Sequence, residues 1–518
     1  MPFVTNLLRS GTALAVIAFA AQPAQAQSSD DVGVEILQLL VDEGVIPLDK
    51  AQTLLDRAKK AAELRAQREA PKTASTIDVP YVPEAVRNQI RDQVKAEVIA
   101  DAESKRWIAP NKMPAWLDRI TLSGDFRLRY QANLFADTNF PQFPDVNAII
   151  QAGGSPRNNF PLLNSTIDRY MLRYRARLGV EAKITDAVKV GFRLASGDNA
   201  GPVSTNETLG DFFQKDGIYI DRAYVELSPI EQVKLTGGRM PNPFYSTDMV
   251  WDTDINPEGV AAMLSYQFGE EALNARLFAT GGWFPLQERE LDPYDRNLVA
   301  GQAGFEFEPV EKLKIKAAGA YYNFLNVQGI RNAPDGSRLN DFTAPLSLSQ
   351  GNSLFDLRTD GVTSLPGLAS KFELVTGTGS ISYTGFGDIG VKLTGEYVQN
   401  IGFDRAEIAA RRVGEPASVP PENYGYQIRL DVGHDKIAKL GDWQLGVGYK
   451  RIGTDAVLDI FTDSDFGLGG TDVKGYLIEA QLGVFTNTAI GVNWYSTKSI
   501  NRAPFDVDVL QINLTSGF

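Results

Sequence analysis

Basic side chains recur at alternate positions in one stretch of the first half of the chain. In DRYMLRYRARLGVEA, residues 168–182, one parity carries Arg169, Arg173, Arg175 and Arg177, and the other carries tyrosine, leucine and valine. Strand side chains point alternately to two faces, so this stretch predicts a β-strand with a guanidinium face and an apolar face. Guanidinium groups bind carboxylates and phosphates through paired hydrogen bonds, which is the chemistry of an anion-contacting surface.

The arginine face of this strand must contact water. An Arg on the lipid side of a transmembrane β-barrel costs about 2–4 kcal/mol near the midplane. The same parity continues in the neighbouring stretches 120–131 and 186–196. Because neighbouring guanidinium groups repel, water, solute anions or facing carboxylates must screen them. We therefore expect an inward basic ladder on three adjacent strands, formed by Arg127, Arg129, Arg169, Arg173, Arg175, Arg177, Lys189 and Arg193.

Two-faced stretches of this kind, about sixteen in number, run from Ile120 to the last residue. Most span about nine to thirteen residues, which suits the ~9–11 residues of a tilted membrane strand better than the five or six of a soluble sheet. No stretch has eighteen consecutive apolar residues, so a membrane protein of this sequence must be a closed barrel. The predicted strands are 120–131, 169–182, 186–196, 218–228, 232–240, 259–268, 272–280, 299–308, 312–323, 372–384, 388–400, 423–434, 441–452, 473–485, 489–498 and 506–518.

The connections between these strands alternate strictly between long and short, as in barrels with tight periplasmic turns and large outer loops. The fold class predicted is an all-β membrane protein, an antiparallel transmembrane β-barrel of about 16 strands with an N-terminal helical periplasmic segment. The domains predicted are a signal peptide at 1–26, a helical periplasmic segment with a linker at 27–118, and the barrel at 119–518.

The third long connection, PNPFYSTDMVWDTDINPE at 241–258, is rich in carboxylates; we call it the acidic loop. If it folds into the barrel, acids facing the basic ladder would set a transverse field that orients dipolar solutes and ranks ions by charge. The alternative is that these acids are solvated on a loop that stays outside. The candidate constriction residues are Asp248, Asp252, Asp254 and Glu258.

The N-terminal region predicts export and then helices. Arg9, the apolar run 11–21 and the sequence Ala24-Gln25-Ala26 are typical of a cleaved signal peptide, so we expect the mature chain to begin at Gln27. Two short helices are predicted between 30 and 69, and a third over 84–105. The apolar steps of the third suit an oligomerising coiled-coil helix, a helix lying on its own barrel, or a spacer.

Composition argues against several function classes. The chain has 51 Lys and Arg against 64 Asp and Glu, a formal net charge of −13, which argues against nucleic-acid binding. Without Cys there is no thiolate nucleophile or thiolate metal site. The single histidine, His434, falls at a predicted periplasmic turn, away from the outer sites that barrel hydrolases use. We expect no catalytic residue, metal or cofactor.

One further acidic stretch resembles part of a calcium loop. Asp459, Asp463 and Asp465 lie in DIFTDSDFGLGG, but this stretch lacks the terminal glutamate of an EF-hand. We therefore expect a solvated outer loop.

Four motifs carry a resemblance to a known family: VPEAVRNQI at 82–90, PAWLDRI at 114–120, SGDFRLRY at 123–130 and GGRMPNPF at 237–244. With the overall layout, they resemble the putative porins, outer-membrane proteins of Gram-negative bacteria, and are distantly similar to the phosphate-selective porins O and P. The resemblance implies a homotrimeric barrel in outer-membrane lipid and lipopolysaccharide that passes small hydrophilic solutes.

Residues and resemblance together predict a water-filled pore for passive diffusion of solutes and ions, with an anion preference from the basic ladder. The alternative is an envelope-anchoring protein whose periplasmic helices do the work. Conductance measurements discriminate between a pore and an anchoring protein, because a plugged barrel passes no ion current.

Overall fold

The computed structural model describes residues 117–518 apart from 198–200, 270–273, 291–293 and 413–421. The predicted signal peptide and the periplasmic helices lie outside the described residues, so both stay predictions. The described chain begins with a 3-10 turn, Leu117–Arg119, that leads directly into the first strand. No described helix is both long and apolar enough to span a bilayer.

Sixteen long strands in the described part of the chain form one antiparallel sheet in sequence order. The first strand pairs with the second on one side and with the last on the other, so the sheet closes into a barrel. The predicted antiparallel barrel and its strand number are confirmed. The strands are β1 (Ile120–Phe135), β2 (Arg169–Lys183), β3 (Val188–Ser196), β4 (Ile218–Ile230), β5 (Val233–Arg239), β6 (Glu258–Phe268), β7 (Asn274–Gln287), β8 (Arg296–Val310), β9 (Leu313–Leu325), β10 (Phe372–Phe386), β11 (Ile389–Asn400), β12 (Tyr424–Gly433), β13 (Trp443–Ile452), β14 (Val473–Phe485), β15 (Thr488–Ser499) and β16 (Val507–Gly517).

The seam between β1 and β16 is closed by paired backbone hydrogen bonds. The Gly124 amide donates to the Phe518 carbonyl at 3.1 Å, and the Phe518 amide donates to the Gly124 carbonyl at 3.0 Å. Glycine is needed at 124 because a Cβ there would lie 2.7 Å from the Phe518 ring. The ring therefore covers the backbone at the seam.

Each strand has an apolar outer face and a polar inner face. In β1, Phe126, Leu128 and Tyr130 are exposed on the outside of the protein, whereas Arg129 on the other parity is 2% exposed. Tyr170, Leu172 and Leu178 of β2 are exposed in the same way. A continuous exposed apolar surface on a closed barrel is what contact with hydrocarbon requires.

The connections at the two ends of the barrel differ in length. One end has the connections 184–187, 231–232, 311–312, 387–388, 434–442 and 486–487, and we call it the short-turn end. The other end has 136–168, 197–217, 240–257, 326–371, 401–423 and 453–472. The alternation is not strict as predicted, because 434–442 at the short-turn end is longer than 500–506 at the opposite end.

The long connections carry the remaining elements. They include the helices α1 (Val146–Gln151) and α2 (Arg405–Arg411) and a short strand at Glu207–Thr208, which pairs with β2 where the nine-residue β3 has already ended. Buried aromatic and aliphatic side chains of the long connections pack against the inner faces of the wall strands. This packing positions the loop residues that face the lumen. The other short elements are 3-10 turns at Asp341–Thr343, Asp459–Phe461 and Phe466–Leu468, and strands at Ser155–Pro156, Leu354–Asp356, Thr363–Ser364 and Pro366–Leu368.

Candidate functional site

The basic residues of β1, β2 and β3 lie on adjacent strands with their side chains inside the barrel. The register sets Arg127 opposite Arg175 and Arg129 opposite Arg173. Like charges directly across an antiparallel pair repel, so the arrangement requires nearby carboxylates.

The nearest carboxylate is Asp125, on β1 itself. Its Oδ2 accepts from Nη2 of Arg175 at 2.8 Å, and its Oδ1 accepts from Nε of Arg177 at 2.6 Å. One acid thus bridges two neighbouring guanidinium groups of β2. The sequence prediction missed Asp125, although it shares the inward parity of Arg127 in SGDFRLRY.

Arg129 is paired by a residue from a distant loop. Its Nη1 lies 3.0 Å from Oδ2 of Asp465, and its Nε donates to Oδ1 of Asn513 on β16 at 2.8 Å. Asp465 lies in the 453–472 loop, between β13 and β14. This loop therefore extends inside the barrel past β15 and β16 to the first strand.

The acidic loop also lies inside the barrel, and the structure places three of its four predicted acids in contact with other groups there. Asp254 Oδ1 lies 3.2 Å from Arg177 Nη1, and its Oδ2 accepts from the Thr205 hydroxyl at 3.2 Å. Asp252 accepts from the backbone amides of Asp254 and Ser464. Glu258 differs, because it begins β6, is exposed and pairs with Arg239.

Lys450 of β13 holds the third of these acids, Asp248. The Lys450 ammonium is 0% exposed and lies 3.0 Å from Asp248 and 2.7 Å from Asp463, with the Phe466 ring 4.8 Å away. An ammonium this deeply buried needs such partners. Because Asp463 belongs to the 453–472 loop, one lysine ties two loops to the wall. The sequence prediction did not identify Lys450.

Aromatic side chains fix the acidic loop against β9. The Tyr322 ring contacts Phe244 at 5.2 Å and Trp251 at 5.5 Å between centroids, and Trp251 packs on Phe461 at 5.3 Å. The three contacts are edge-on or tilted, the geometries that aromatic pairs prefer. The loop therefore has an apolar side on the wall and an acidic side toward β2 and β13.

Polar contacts fix the same loop against β8 and β11. The Tyr245 amide donates to Gln302 Oε1 at 2.8 Å, and Gln302 Nε2 donates back to the Tyr245 carbonyl at 2.8 Å. The Thr247 hydroxyl and amide both donate to the buried carboxylate of Glu396. The backbone of the loop is thus held by inward side chains of two strands.

The 453–472 loop is buried rather than solvated as the sequence predicted. Asp459 is 2% exposed, and its amide donates to Asn352 of the 326–371 connection at 2.9 Å. Burial raises the pKa of the Asp459 carboxyl to about 7, and the nearby Asp455 carboxylate adds to the shift. Burial also raises the pKa of Asp252 well above its ordinary value, with the charge of Asp463 as the next cause.

The remaining ladder residues are placed less uniformly. Lys189 lies 3.5 Å from Glu226 and 3.6 Å from Glu181, and Arg193 pairs with Asp221 of β4. Arg173 donates to Gln131 at 3.4 Å. Arg169, at the long-connection end of β2, is exposed and lies apart from the cluster. The structure thus brings seven of the eight predicted basic residues to the inner wall in the company of polar groups, and leaves Arg169 at its rim.

The described residues also include His434 and acidic side chains, the types that ligate metal ions. No group of three or more His, Cys, Asp or Glu side chains among them is placed to hold a metal ion. The His434 ring lies at the 434–442 connection, where its Nδ1 accepts from the Trp443 amide at 3.1 Å and its Nε2 lies 3.6 Å from Asp442. The imidazole thus takes part in a turn.

Known structures with similar folds cover most of the chain at low identity. OprB of Pseudomonas putida at high pH is 11% identical, with 79% of this chain and 97% of that one covered and a TM-score of 0.45. The outer-membrane channel DcaP of Acinetobacter baumannii is 11% identical, with 77% and 97% covered and a TM-score of 0.39. A triple mutant of the Rhodopseudomonas blastica porin is 10% identical, with 77% and 100% covered and a TM-score of 0.34.

None of these scores reaches 0.5, so the assignment of a family rests on sequence. No curated protein matches the chain. The family model described as putative porin matches residues 30–518, which include the whole barrel. The closed barrel and its charged interior are thus those of a chain that belongs to the putative porin family.

Proposed function

We propose that this protein is an outer-membrane porin through which small hydrophilic solutes and ions diffuse passively, with a preference for anions. The observation that carries the proposal is the division of the closed wall into an apolar exterior and a charged interior, as in Phe126 and Arg127 of β1. So many charged groups turned inward suit an interior that water can reach, because a buried charge is costly unless it is paired or hydrated. Family membership supports the same function.

An excess of basic groups on one side of the interior supports the anion preference. Seven basic residues, Arg127, Arg129, Arg173, Arg175, Arg177, Lys189 and Arg193, face six acids, Asp125, Glu181, Asp221, Glu226, Asp254 and Asp465. The local surplus of positive charge lowers the energy of an anion in the lumen and raises that of a cation.

The acidic loop supports a constriction. Its anchors on β8, β9, β11 and β13 keep Asp248, Asp252 and Asp254 inside the barrel. The acids of the loop and the arginines of β1 and β2 thus border the lumen together, with Asp254 in direct contact with Arg177 at 3.2 Å. The transverse field between them would rank solutes by charge and dipole.

The apolar outer face of the barrel predicts which molecules surround the protein in the membrane. Exposed apolar side chains favour outer-membrane lipid and lipopolysaccharide as neighbours, with the short-turn end in the periplasm. A homotrimer is part of the same proposal, as is export by a cleaved signal peptide.

Planar-bilayer recording tests the proposal directly. Purified full-length protein should give stable ohmic current steps in KCl, and a KCl gradient should give a reversal potential of the sign that chloride preference produces. A protein that inserts but stays silent would contradict the porin function and favour envelope anchoring.

A further inference from the structure

A polar chamber lies in the lumen at the short-turn end. Its volume is about 340 Å³, and its wall includes Arg127, Arg175, Gln481, Asn493, Asn513 and Thr515. It reaches Ile437 and Asn487, which lie in the connections 434–442 and 486–487. Ligand pockets in proteins begin at about 300 Å³, so the chamber has room for one small solute.

Arg127 differs from Arg175, the other arginine that lines the chamber. Its one hydrogen bond with the described residues runs from Nη2 to Oδ1 of Asn206. No carboxylate of the described chain lies within ion-pair distance of it, whereas Arg175 is paired with Asp125. Among the described lining residues there is no carboxylate. Arg127 is therefore the arginine of the chamber without a direct carboxylate partner among the described residues, although the carboxylates of Asp465 and Asp254 lie near enough for their charges to act on it.

The wall of the chamber continues from β1 into neighbouring strands that carry carboxamides. Gln481, Asn493 and Asn513 project inward from β14, β15 and β16. Asn513 uses its Oδ1 on Arg129, and Asn493 uses its Nδ2 on Gln511, which leaves an amide donor on the first and an acceptor on the second. A carboxamide offers both donors and acceptors, as a sugar hydroxyl does.

Small residues create the free volume. Ala489 and Gly491 line the chamber on β15 between the amide positions. A Cβ added at Gly491 would meet Ala480 O and Gln481 Cγ at 3.6 Å, which is ordinary contact distance. Position 491 therefore accepts a side chain without backbone strain, and a longer side chain there would project into the chamber.

We propose that this chamber binds a sugar acid the size of one monosaccharide, with the carboxylate on Arg127 and the hydroxyl groups on the carboxamides. A charged end and a hydroxylated body are both required, because the wall has one guanidinium without a direct carboxylate partner and several amides that apolar groups would leave unpaired. The inference deepens the proposed function, since the solute must first enter an open lumen.

The test is block of ion current in planar bilayers by three probes at equal concentration: gluconate, which has charge and hydroxyls; glucose, which has hydroxyls alone; and acetate, which has charge alone. Gluconate should reduce the KCl current in a saturable manner, whereas glucose and acetate should have little effect. Equal block by acetate, or equal block by glucose, would overturn the proposal.

Variants locate the binding. Arg127→Gln should weaken gluconate block by about tenfold or more, whereas Lys392→Gln, which removes the same charge from the inner face of β11 outside the chamber, should not change it. Gly491→Leu should abolish the block while KCl current persists, and Gly491→Ala should keep it. Unchanged block in both Arg127→Gln and Gly491→Leu would refute the site.

Failure of the inference is distinguishable from failure of the proposed function. Ohmic KCl steps with no gluconate effect would refute the chamber and leave the porin intact. Absence of any KCl current would contradict the porin function itself.

Discussion

The guanidinium of Arg129 meets the carboxylate of Asp465 at 3.0 Å inside the barrel. The two residues lie 336 positions apart, on the first strand and in the 453–472 loop. Their contact joins the basic side of the wall to a loop that also holds Lys450 through Asp463. The ion pairs of Arg129 and of Lys450 are therefore linked through one loop, and each can be tested separately.

Removal of Asp465 should destabilise the barrel more than removal of the whole pair. Asp465→Ala leaves the Arg129 charge buried and unpaired, which costs about 3–5 kcal/mol in comparable pairs. The double variant Arg129→Met with Asp465→Leu should recover much of this loss, because no buried charge remains. Urea unfolding of folded protein in detergent measures both. Equal stability of the single variant and the parent protein would contradict the burial of this pair.

The basic ladder should control ion selectivity in a salt-dependent manner. Replacement of Arg173, Arg175 and Arg177 by Ala should lower the anion-to-cation permeability ratio at low salt. The effect should shrink near molar salt, where the Debye length is about 3 Å. Reversal potentials in KCl gradients measure the ratio. No change at low salt would mean that these side chains do not line the narrow part of the lumen.

Release of the acidic loop should widen and destabilise the pore. Trp251→Ala removes the ring that packs on Tyr322 and Phe461, a loss of about 3–5 kcal/mol for a buried Trp. Single-channel conductance should rise and the open current should become noisier. Trp494→Ala, on the outer face of β15, is the matched control and should leave conductance unchanged. Identical traces from the two variants would argue against a constriction.

The buried carboxyl of Asp459 should make the loops less stable as pH rises. Its pKa is about 7 when folded and lower when unfolded, so the folded state holds the proton more tightly. Stability is therefore greatest below pH 4 for this group and falls through pH 7, by up to about 4 kcal/mol.

Asp459→Asn removes this titration and keeps an acceptor oxygen. The melting temperature of the parent protein should drop relative to the variant between pH 5 and pH 8. Parallel pH profiles for the two proteins would show that the carboxyl does not titrate in this range.

Strand alternation is a local signal, and most of the wall could be predicted from it. The Arg and Tyr alternation of 169–182 identified β2 within one residue of Lys183. The end of β7 was missed, because 272–280 was predicted where the strand continues to Gln287. Gly281, Gly282 and Pro285 are poor strand residues by themselves, and pairing with β8 maintains the strand through them.

The loop residues of the site could be predicted only in part. Asp248 and Asp254 were predicted because the stretch 241–258 is rich in carboxylates. Their partners Lys450 and Thr205 come from distant segments. Asp459 was expected in water because its stretch lacks the terminal glutamate of a calcium loop and was therefore interpreted as a solvated outer loop. Its burial depends on Asn352 of another connection, which no local pattern reveals.

The seam at Gly124 and Phe518 has a consequence for how the barrel is made. The two strands that meet there are separated by the sequence of all the others, so their contacts have the longest sequence separation in the wall. Such contacts form late and slowly. Until they form, two strand edges carry unsatisfied amides and carbonyls that invite pairing with other chains. This architecture therefore requires a chaperone that protects the unfinished sheet, in addition to the lipid that finally surrounds the barrel.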